Sequence, residues 1–274
     1  MAITDDIRAL AERFSGTLGV WAQSLDTGET VEWNAEETFP AASTIKLPIL
    51  YEVYKQAGEG RLDLAERLVL RAEDIVPGSG VLKDLTPGLA LTVKDLATLM
   101  ITVSDNTATN LLIDRVGREA VNDSMRELGL RGTHLDHKLF RAPEGAPPNR
   151  STPADLGRLM RLIAARAVLT PAACGEMLDI LGRQQYTEQI TRRLPDYDGF
   201  VEPGREPAVR VASKSGAIRG TRNDVGLVEA RGRRYVLALM TRGCRDLRFH
   251  PDNEASLLLA DVSAALYRHF VTGS

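Results

Sequence analysis

The sequence predicts an α/β (α+β) fold. An antiparallel sheet of about five strands is flanked by the N- and C-terminal helices, and an all-helical lobe is inserted between the strands. Three observations predict it: strand-like segments near both ends of the chain, helix-like segments throughout the middle, and an amphipathic helix at each end. Strands from both ends complete one sheet only if the chain between them forms a separate lobe.

The first elements are a helix and a hairpin. Apolar residues at helical spacing predict a helix over residues 7–14, with Thr4 or Asp5 as its N-cap. The alternating segments 17–24 and 30–33 are separated by a turn sequence and predict two paired strands. The chain therefore begins within the predicted sheet.

Helices are predicted throughout the middle of the chain. Residues 43–57 are apolar on nearly every side, which predicts a helix buried all round. Helical periodicity predicts two or three further helices in residues 92–129 and one each in residues 155–165 and 171–181. Thr92 is the expected N-cap of the first of these.

The last part of the chain returns to strands and ends in a helix. A segment rich in proline, glycine and charge at residues 203–207 marks a loop or domain crossing. Strands are predicted at residues 209–213, 224–229 and 235–241, followed by a long amphipathic helix over residues 253–270.

These elements predict two domains that share a cleft. Residues 1–42 and 208–274 are expected to form the sheet domain, and residues 43–207 the helical domain. Because small-molecule sites occur preferentially between lobes, we expect the active site in this cleft.

Composition excludes several classes of partner. The chain has 274 residues and a formal net charge of -3, without a basic stretch that would bind nucleic acid or an anionic membrane. No segment is apolar enough to span a bilayer, and the N-terminus has no export signal. The chain as written is expected to be a cytoplasmic monomer, whereas a chain trimmed of a leader would be periplasmic or secreted.

Neither cysteine nor histidine spacing predicts a metal site or a cofactor. Cys174 and Cys244 are too few for a disulfide framework, and we expect two buried thiols, with one long-range bridge left open. His134 and His137 lie in a turn-like segment at a spacing that fits no zinc motif.

A serine and a lysine begin the helix that is expected to be buried. Ser43 and Lys46 form an S-x-x-K motif, so their side chains lie one turn apart on one face. Serine needs a base to become nucleophilic, and a lysine whose pKa is lowered by burial or by another cation can serve. The motif alone is also typical of a capping serine beside a solvated lysine.

Two further motifs change this interpretation. The Ser104-Asp105-Asn106 segment precedes a helix, where an N-cap is its ordinary function, and Lys214 begins a K-S-G segment on a predicted strand. S-x-x-K, S-D-N and K-[ST]-G in this order form the motif set of class A β-lactamases and penicillin-binding proteins.

The sequence therefore resembles the class A β-lactamase family of penicillin-recognising serine hydrolases over nearly the whole chain. Residues 39–46, 97–113 and 214–222 are similar to the family's nucleophile segment, S-D-N helix pair and substrate-binding strand. The resemblance implies a β-lactamase/transpeptidase-like fold. It also implies a hydrolase of β-lactams or related amides and esters, whose small substrate carries a carboxylate.

The resemblance also implies catalytic roles. Ser43 attacks a carbonyl carbon and becomes acylated, while Lys46 accepts its proton directly or through water. Ser104 passes a proton to the leaving atom. Asn106 orients Lys46 and binds the amide of the substrate.

Substrate-binding roles follow in the same way. Lys214 keeps the pocket positive and, with Ser215, attracts the substrate carboxylate. The N–H groups of Ser43 and Ala217 form the oxyanion hole. Arg222 is the expected second anchor of the carboxylate, because a guanidinium fits a planar anion.

One feature of the family is missing. Class A β-lactamases carry a glutamate in an E-x-x-L-N segment that activates the deacylating water, and residues 138–153 contain no such segment. Asp136 and Glu144 are the nearby carboxylates, and both are expected to be loop residues. This leaves open a D-alanyl-D-alanine carboxypeptidase-like penicillin-binding protein or an esterase with poor β-lactam turnover, and also a non-hydrolytic penicillin-binding sensor.

Overall fold

The computed structural model describes residues 2–199 and 204–273 of the chain. Consecutive strands and one helix lie at each of the two ends, and helices fill most of the middle. In chain order they are α1 (Ile3–Arg13), β1 (Thr17–Ser24), β2 (Thr30–Trp33), β3 (Phe39–Pro40), α2 (Lys46–Gly58), β4 (Arg67–Val69), β5 (Ala90–Thr92), α3 (Val93–Thr102), α4 (Asn106–Val116), α5 (Arg118–Glu127), β6 (Arg150–Ser151), α6 (Pro153–Ala164), α7 (Pro171–Leu181), β7 (Val209–Ile218), β8 (Thr221–Ala230), β9 (Arg233–Arg242) and α8 (Glu254–Tyr267).

Five strands form one antiparallel sheet in the order β2-β1-β9-β8-β7. The two ends of the chain meet where β1 pairs with β9, from the Thr17–Arg242 pair to the Ser24–Tyr235 pair. β7 lies at one edge of the sheet and pairs with β8 along its full length. The predicted sheet, built from strands at both ends of the chain, is confirmed.

The two faces of the sheet bury different helices. Val20 on β1 is fully buried in a cluster with Ile7 from α1 and Leu259 from α8. The next residue, Trp21, points to the opposite face and packs in the cluster of the helical lobe, which includes Leu159 of α6. Alternate residues of one strand therefore join the terminal helices on one face and the helical lobe on the other.

α2 is the central helix of the helical lobe. Leu47, Ile49, Leu50 and Val53 on this helix have no exposed surface, as expected for a helix buried all round. A 3₁₀ turn, Ala42–Ile45, precedes it, so the regular helix begins only at the lysine of the S-x-x-K motif.

Several element boundaries differ from those predicted. α1 begins at Ile3 and has no side-chain N-cap, because Asp5 lies within the first turn, where its charge favours the helix dipole. β7 runs to Ile218 rather than to residue 213, because its K-S-G segment continues the ladder with β8. Thr92 caps α3 as predicted, its Oγ1 accepting from the N–H three residues on at 3.0 Å.

Three further predictions concern the crossing segment, the cysteines and membrane-spanning helices. In the predicted crossing segment, Pro203 lies outside the described residues. Residues 204–208 form neither helix nor strand. Cys174 and Cys244 are both free and buried, so the bridge left open by the sequence is not formed. Within the described part of the chain, every helix is too short or too polar to cross a bilayer.

Candidate active site

Ser43 lies in the 3₁₀ turn before α2, and a residue of the sheet holds the chain just ahead of it. Asn223 on β8 donates its side-chain amide to the carbonyl oxygens of Pro40 and Ala41, at 2.8 and 3.0 Å. Ala42 has φ +47, a left-handed conformation that is uncommon for a residue with a Cβ. Asn223 is not recognisable from the sequence, because no local pattern connects it to a serine 180 positions earlier.

Lys46 is fully buried, and its amine is surrounded by the S-D-N motif. Its Nζ lies 2.7 Å from the carbonyl oxygen and 2.9 Å from the Oγ of Ser104, and 2.8 Å from Oδ1 of Asn106. Ser104 has φ +52, another left-handed residue at this site. The structure thus brings Lys46, Ser104 and Asn106 together, as the motif order implied.

The surroundings of Lys46 favour its neutral form. Burial lowers its pKa well below the ordinary lysine value, and the charge of Lys214 lowers it further, while Asp105 acts in the opposite direction. A neutral amine has two N–H groups, which suit the two carbonyl-type oxygens beside it. Its lone pair is then free to accept a proton from a neighbouring hydroxyl group. In the described residues no hydrogen bond joins Lys46 to Ser43, so a proton passing between them needs a water or a side-chain rotation.

Asp105, the middle residue of the S-D-N motif, faces away from this amine and holds the backbone. It is the N-cap of α4, accepting from the N–H of Ala108 at 2.9 Å. Its other oxygen accepts from the N–H groups of Val81 and Leu82 at 2.6 and 2.8 Å. The capping interpretation is therefore correct for the middle residue of the motif, while its two neighbours contact the lysine.

The K-S-G strand is held at the sheet edge by a glutamine that the motifs did not reveal. Gln184 Oε1 accepts from the backbone N–H of Ser215 at 2.6 Å. The same oxygen lies 3.0 Å from the hydroxyl of Ser215, and Gln184 Nε2 donates to Ser213 Oγ at 2.7 Å. Lys214 is fully buried and donates to the carbonyl oxygen of Ser215 at 2.7 Å.

A buried carboxyl group lies on the strand next to Lys214. Asp224 is the register partner of Ser215, and its Oδ2 accepts from the N–H of Ile190 at 3.2 Å. Burial lowers the pKa of Lys214 to about 7, and burial raises the pKa of Asp224 to about 7. Because an ionised Asp224 favours the ammonium form of Lys214, the positive charge of the site depends on this second residue that the motifs did not reveal.

Gly216 allows β7 to pass directly against the nucleophile segment. A Cβ at this position would lie 2.8 Å from the backbone nitrogen of Ser43 and 3.0 Å from that of Thr44. Both are backbone atoms that cannot rotate away. Only a glycine therefore permits this approach, which brings the following residue, Ala217, to the cavity that Ser43 lines.

A cavity of about 640 Å³ joins these groups. Ser43, Ser104 and Asn106 line it from the helical part of the chain, and Ser215 and Ala217 line it from β7. The two buried lysines lie behind these residues. Three segments that are far apart in sequence therefore meet around one pocket that has hydroxyl groups at its surface and amines beneath it.

This pocket and fold can be compared with known proteins. A protein-family model described as "Beta-lactamase enzyme family" matches residues 2–270 of the chain. The chain belongs to this family. The family predicted from the three motifs is confirmed, and the roles of the individual residues stay predictions that the geometry now makes specific.

Relatives align with this family member over nearly its whole length. Beta-lactamase 1 of Streptomyces cacaoi is 30% identical and aligns with 93% of this chain and 82% of its own. A crystal structure of a β-lactamase from Sphaerobacter thermophilus has 35% identity and a TM-score of 0.87, covering 97% of this chain and 96% of that one. A variant of PBP-A, solved as an acyl-enzyme complex with penicillin G, has 32% identity and a TM-score of 0.84 over 97% and 95% of the two chains. The predicted β-lactamase-like fold is confirmed.

Arg222 does not present its guanidinium to the pocket in this family member. The side chain is 3% exposed, donates to three backbone carbonyl oxygens at 2.5 to 2.9 Å, and lies 5.0 Å from the centroid of the Phe249 ring. Arg219, which is exposed, lines the cavity instead. The carboxylate anchor expected at Arg222 stays a prediction, and the geometry gives Arg222 a structural function.

The loop that lacks the family's glutamate supplies apolar surface to the pocket. Asp136 pairs with Arg150 at 2.7 Å, and Glu144 is exposed; neither lines the cavity. Leu139 does line it, and Asn110 holds its backbone through two hydrogen bonds of 2.9 Å. Among the residues that the structure describes, no aspartate or glutamate lines this cavity.

Proposed function

We propose that this family member is an active-site-serine hydrolase that forms an acyl-enzyme at Ser43 with β-lactams or with related amides and esters. The observation that carries the proposal is the cluster of Lys46, Ser104 and Asn106, joined by hydrogen bonds of 2.7 to 2.9 Å beside the cavity that Ser43 lines. A mutant of PBP-A, a relative of the same fold, was solved as an acyl-enzyme complex with penicillin G, which supports this reaction class.

Acylation needs one proton to move from the nucleophile to the leaving atom. Ser43 Oγ attacks the carbonyl carbon, and its proton passes to the neutral amine of Lys46 directly or through a water. As the C–N or C–O bond of the substrate breaks, Ser104 gives its hydroxyl proton to the leaving atom and takes the proton that Lys46 had accepted, 2.9 Å away, so that both side chains are neutral again. The enzyme then holds the acyl group as an ester of Ser43.

Charge and hydrogen bonding orient the substrate in this proposal. The N–H groups of Ser43 and Ala217 bind the carbonyl oxygen as it becomes negative. Lys214 and Ser215 attract a carboxylate of the substrate, since an ammonium group beside a hydroxyl gives charge-assisted hydrogen bonds. The substrate class is therefore a small acyl compound that carries a carboxylate.

A second candidate function is favoured by the apolar loop beside the pocket. Hydrolysis of a stable penicilloyl ester needs a positioned and activated water, and no carboxylate among the described residues lines the cavity to activate one. Under this second function the protein is a peptidase or esterase, and β-lactams acylate it but leave slowly.

One experiment distinguishes the two functions. The protein is mixed with a fluorescent penicillin and, separately, with a chromogenic cephalosporin, and labelling and turnover are followed over time. Labelling with rapid turnover supports a β-lactamase. Persistent labelling supports the peptidase, or a penicillin-binding sensor if no ester or peptide is cleaved. Cleavage of an aryl ester without labelling supports an esterase.

The matched control is Ser43→Ala, which removes only the hydroxyl group. We expect it to abolish covalent labelling and turnover, because it removes the hydroxyl group that attacks the carbonyl carbon in this proposal. Mass spectrometry of the intact protein measures the adduct directly. Unchanged labelling of the Ser43→Ala variant contradicts the proposal.

A further inference from the structure

Two phenylalanine side chains are exposed at the cavity. Phe140 exposes 61% of its surface and Phe249 exposes 65%, more than any other large hydrophobic side chain in residues 2–199 and 204–273. Both line the cavity that contains Ser43. We name this pair the aromatic rim. An exposed aromatic ring does not gain the favourable free energy that burial would give. Two such rings at one pocket therefore indicate a surface that a ligand covers.

Phe140 is held in place by its backbone and by a glycine. Its φ is +56, a left-handed conformation that is rare for a bulky residue and that clusters at functional sites. The preceding residue, Leu139, is fixed by its two hydrogen bonds to Asn110. A Cβ on Gly78 would lie 3.1 Å from the Phe140 ring, so the ring packs closely over this glycine. The ring is therefore fixed while most of its surface stays free.

Phe249 is held by the arginine that does not reach the pocket. The guanidinium of Arg222 lies 5.0 Å from the ring centroid, a cation–π contact. Three hydrogen bonds to backbone carbonyl oxygens fix that guanidinium in turn. Ile218, 37% exposed, also lines the cavity and adds apolar surface. This half of the aromatic rim is also positioned before any ligand binds.

We infer that the aromatic rim determines specificity by binding an aromatic acyl side chain of the substrate. The inference rests on the proposed function, which places the acyl carbon at Ser43 in the same cavity. Phe140 belongs to the loop between α5 and β6, and Phe249 to the segment between β9 and α8, so two separate parts of the chain each supply one ring to the cavity. Because both rings are held in advance, little side-chain entropy is lost on binding.

The test compares two substrates that differ only in the acyl side chain. The phenylacetyl and acetyl derivatives of 6-aminopenicillanic acid share one reactive core and one carboxylate. The second-order rate constant of acylation is measured for each by intact-protein mass spectrometry. We expect the wild-type protein to prefer the phenylacetyl compound. Phe140→Ala and Phe249→Ala should each reduce that preference roughly tenfold, the size of one aromatic contact.

Control variants separate contact from structure. Leu247→Ala removes an exposed side chain from the same segment as Phe249, but Leu247 does not line the cavity. We expect it to keep the wild-type preference, and Phe140→Tyr to keep most of it because the ring is retained. Equal losses on both substrates in the alanine variants, or an unchanged preference, overturn the inference.

A binding measurement separates this inference from the proposed function. The Ser43→Ala variant, alone and combined with Phe140→Ala, is titrated with both compounds by calorimetry. Acylation of the wild-type protein without any side-chain preference leaves the proposed function standing and overturns the aromatic rim. If the phenylacetyl compound binds preferentially, Phe140→Ala removes that preference and the wild-type protein is not acylated, the aromatic rim stands and the proposed function is overturned. Absence of both binding and acylation overturns both.

Discussion

Lys214 and Asp224 are buried ionisable residues on neighbouring strands, and each affects the charge of the other. A hydrogen-bonded path also runs along this edge, from Ser213 through Gln184 to Ser215. Burial disfavours the ammonium form of Lys214 and an ionised Asp224 favours it, so the charge proposed to attract an anionic substrate depends on both effects. At the scale of single residues, the charge of the pocket is a property of the pair and its surroundings.

The activity towards carboxylate substrates should fall as pH rises through about 7. The pKa of Lys214 is lowered to about 7, so its charge is present below that pH and is lost above it. KM for a carboxylate-bearing substrate should therefore increase above pH 7, while KM for a neutral aryl ester should not. Steady-state kinetics from pH 5.5 to 9 measure both, and parallel profiles for the two substrates would reject the assignment.

Asp224→Asn tests the other member of the pair. An ionised Asp224 raises the pKa of Lys214, so its neutral replacement should lower that pKa and shift the increase in KM to lower pH. The neutral ester serves as the internal control. A residue with a merely structural role would alter both substrates equally and leave the position of the pH transition unchanged.

At the scale of elements, the S-D-N segment joins α4 to the loop between β4 and β5. Asp105→Ala removes the N-cap of α4 and the acceptor for two loop N–H groups. We expect the free energy of unfolding to decrease by about 2 to 4 kcal/mol, since a lost cap costs about 1 kcal/mol and buried N–H groups left unpaired add to it.

Chemical denaturation measures this effect against a matched cap. Thr170→Ala removes the exposed N-cap of α7, where the hydroxyl accepts one bond, from the N–H of Ala173 at 3.2 Å. Its cost should be about 1 kcal/mol or less. If the two variants lose equal stability, Asp105 is only a cap and does not hold the loop.

Element types were predictable where the local pattern was strong. The bounds of β1, β2 and α7 match the predicted segments, because alternation, turn residues and a proline at the first helical turn are local signals. The length of β7 was not predictable. A lysine, a serine and a glycine have weak strand propensity, and only pairing with β8 extends the strand to Ile218.

At the scale of the whole molecule, the site exists because β7 and the nucleophile segment approach each other closely. Gly216→Ala places a Cβ 2.8 Å from the backbone nitrogen of Ser43, so one of the two segments must move. We expect acylation to slow by about 10- to 100-fold, because small displacements of reacting groups cost that much. The rate of labelling by a fluorescent penicillin measures it.

Gly175→Ala is the matched control for this change. Gly175 lies in α7, and a Cβ there would meet no atom within 4 Å. This variant should label at the wild-type rate and gain slight stability from helix propensity. Equal labelling by the two variants would show that the approach of β7 does not limit the reaction.

The sequence by itself determined the chemistry that this protein carries: a hydroxyl and an amine one helical turn apart, two further motifs in a fixed order, and the type of fold that unites them. Only the tertiary structure decided the pKa values of these groups and the contacts that they make. It lowered the pKa of Lys46, placed a buried carboxyl group, Asp224, where its charge affects the pKa of Lys214, and gave Arg222 a structural function. The physical reason is that side-chain identity and short-range spacing are properties of the local sequence. Burial, charge coupling and close backbone approach instead arise between residues far apart in the chain.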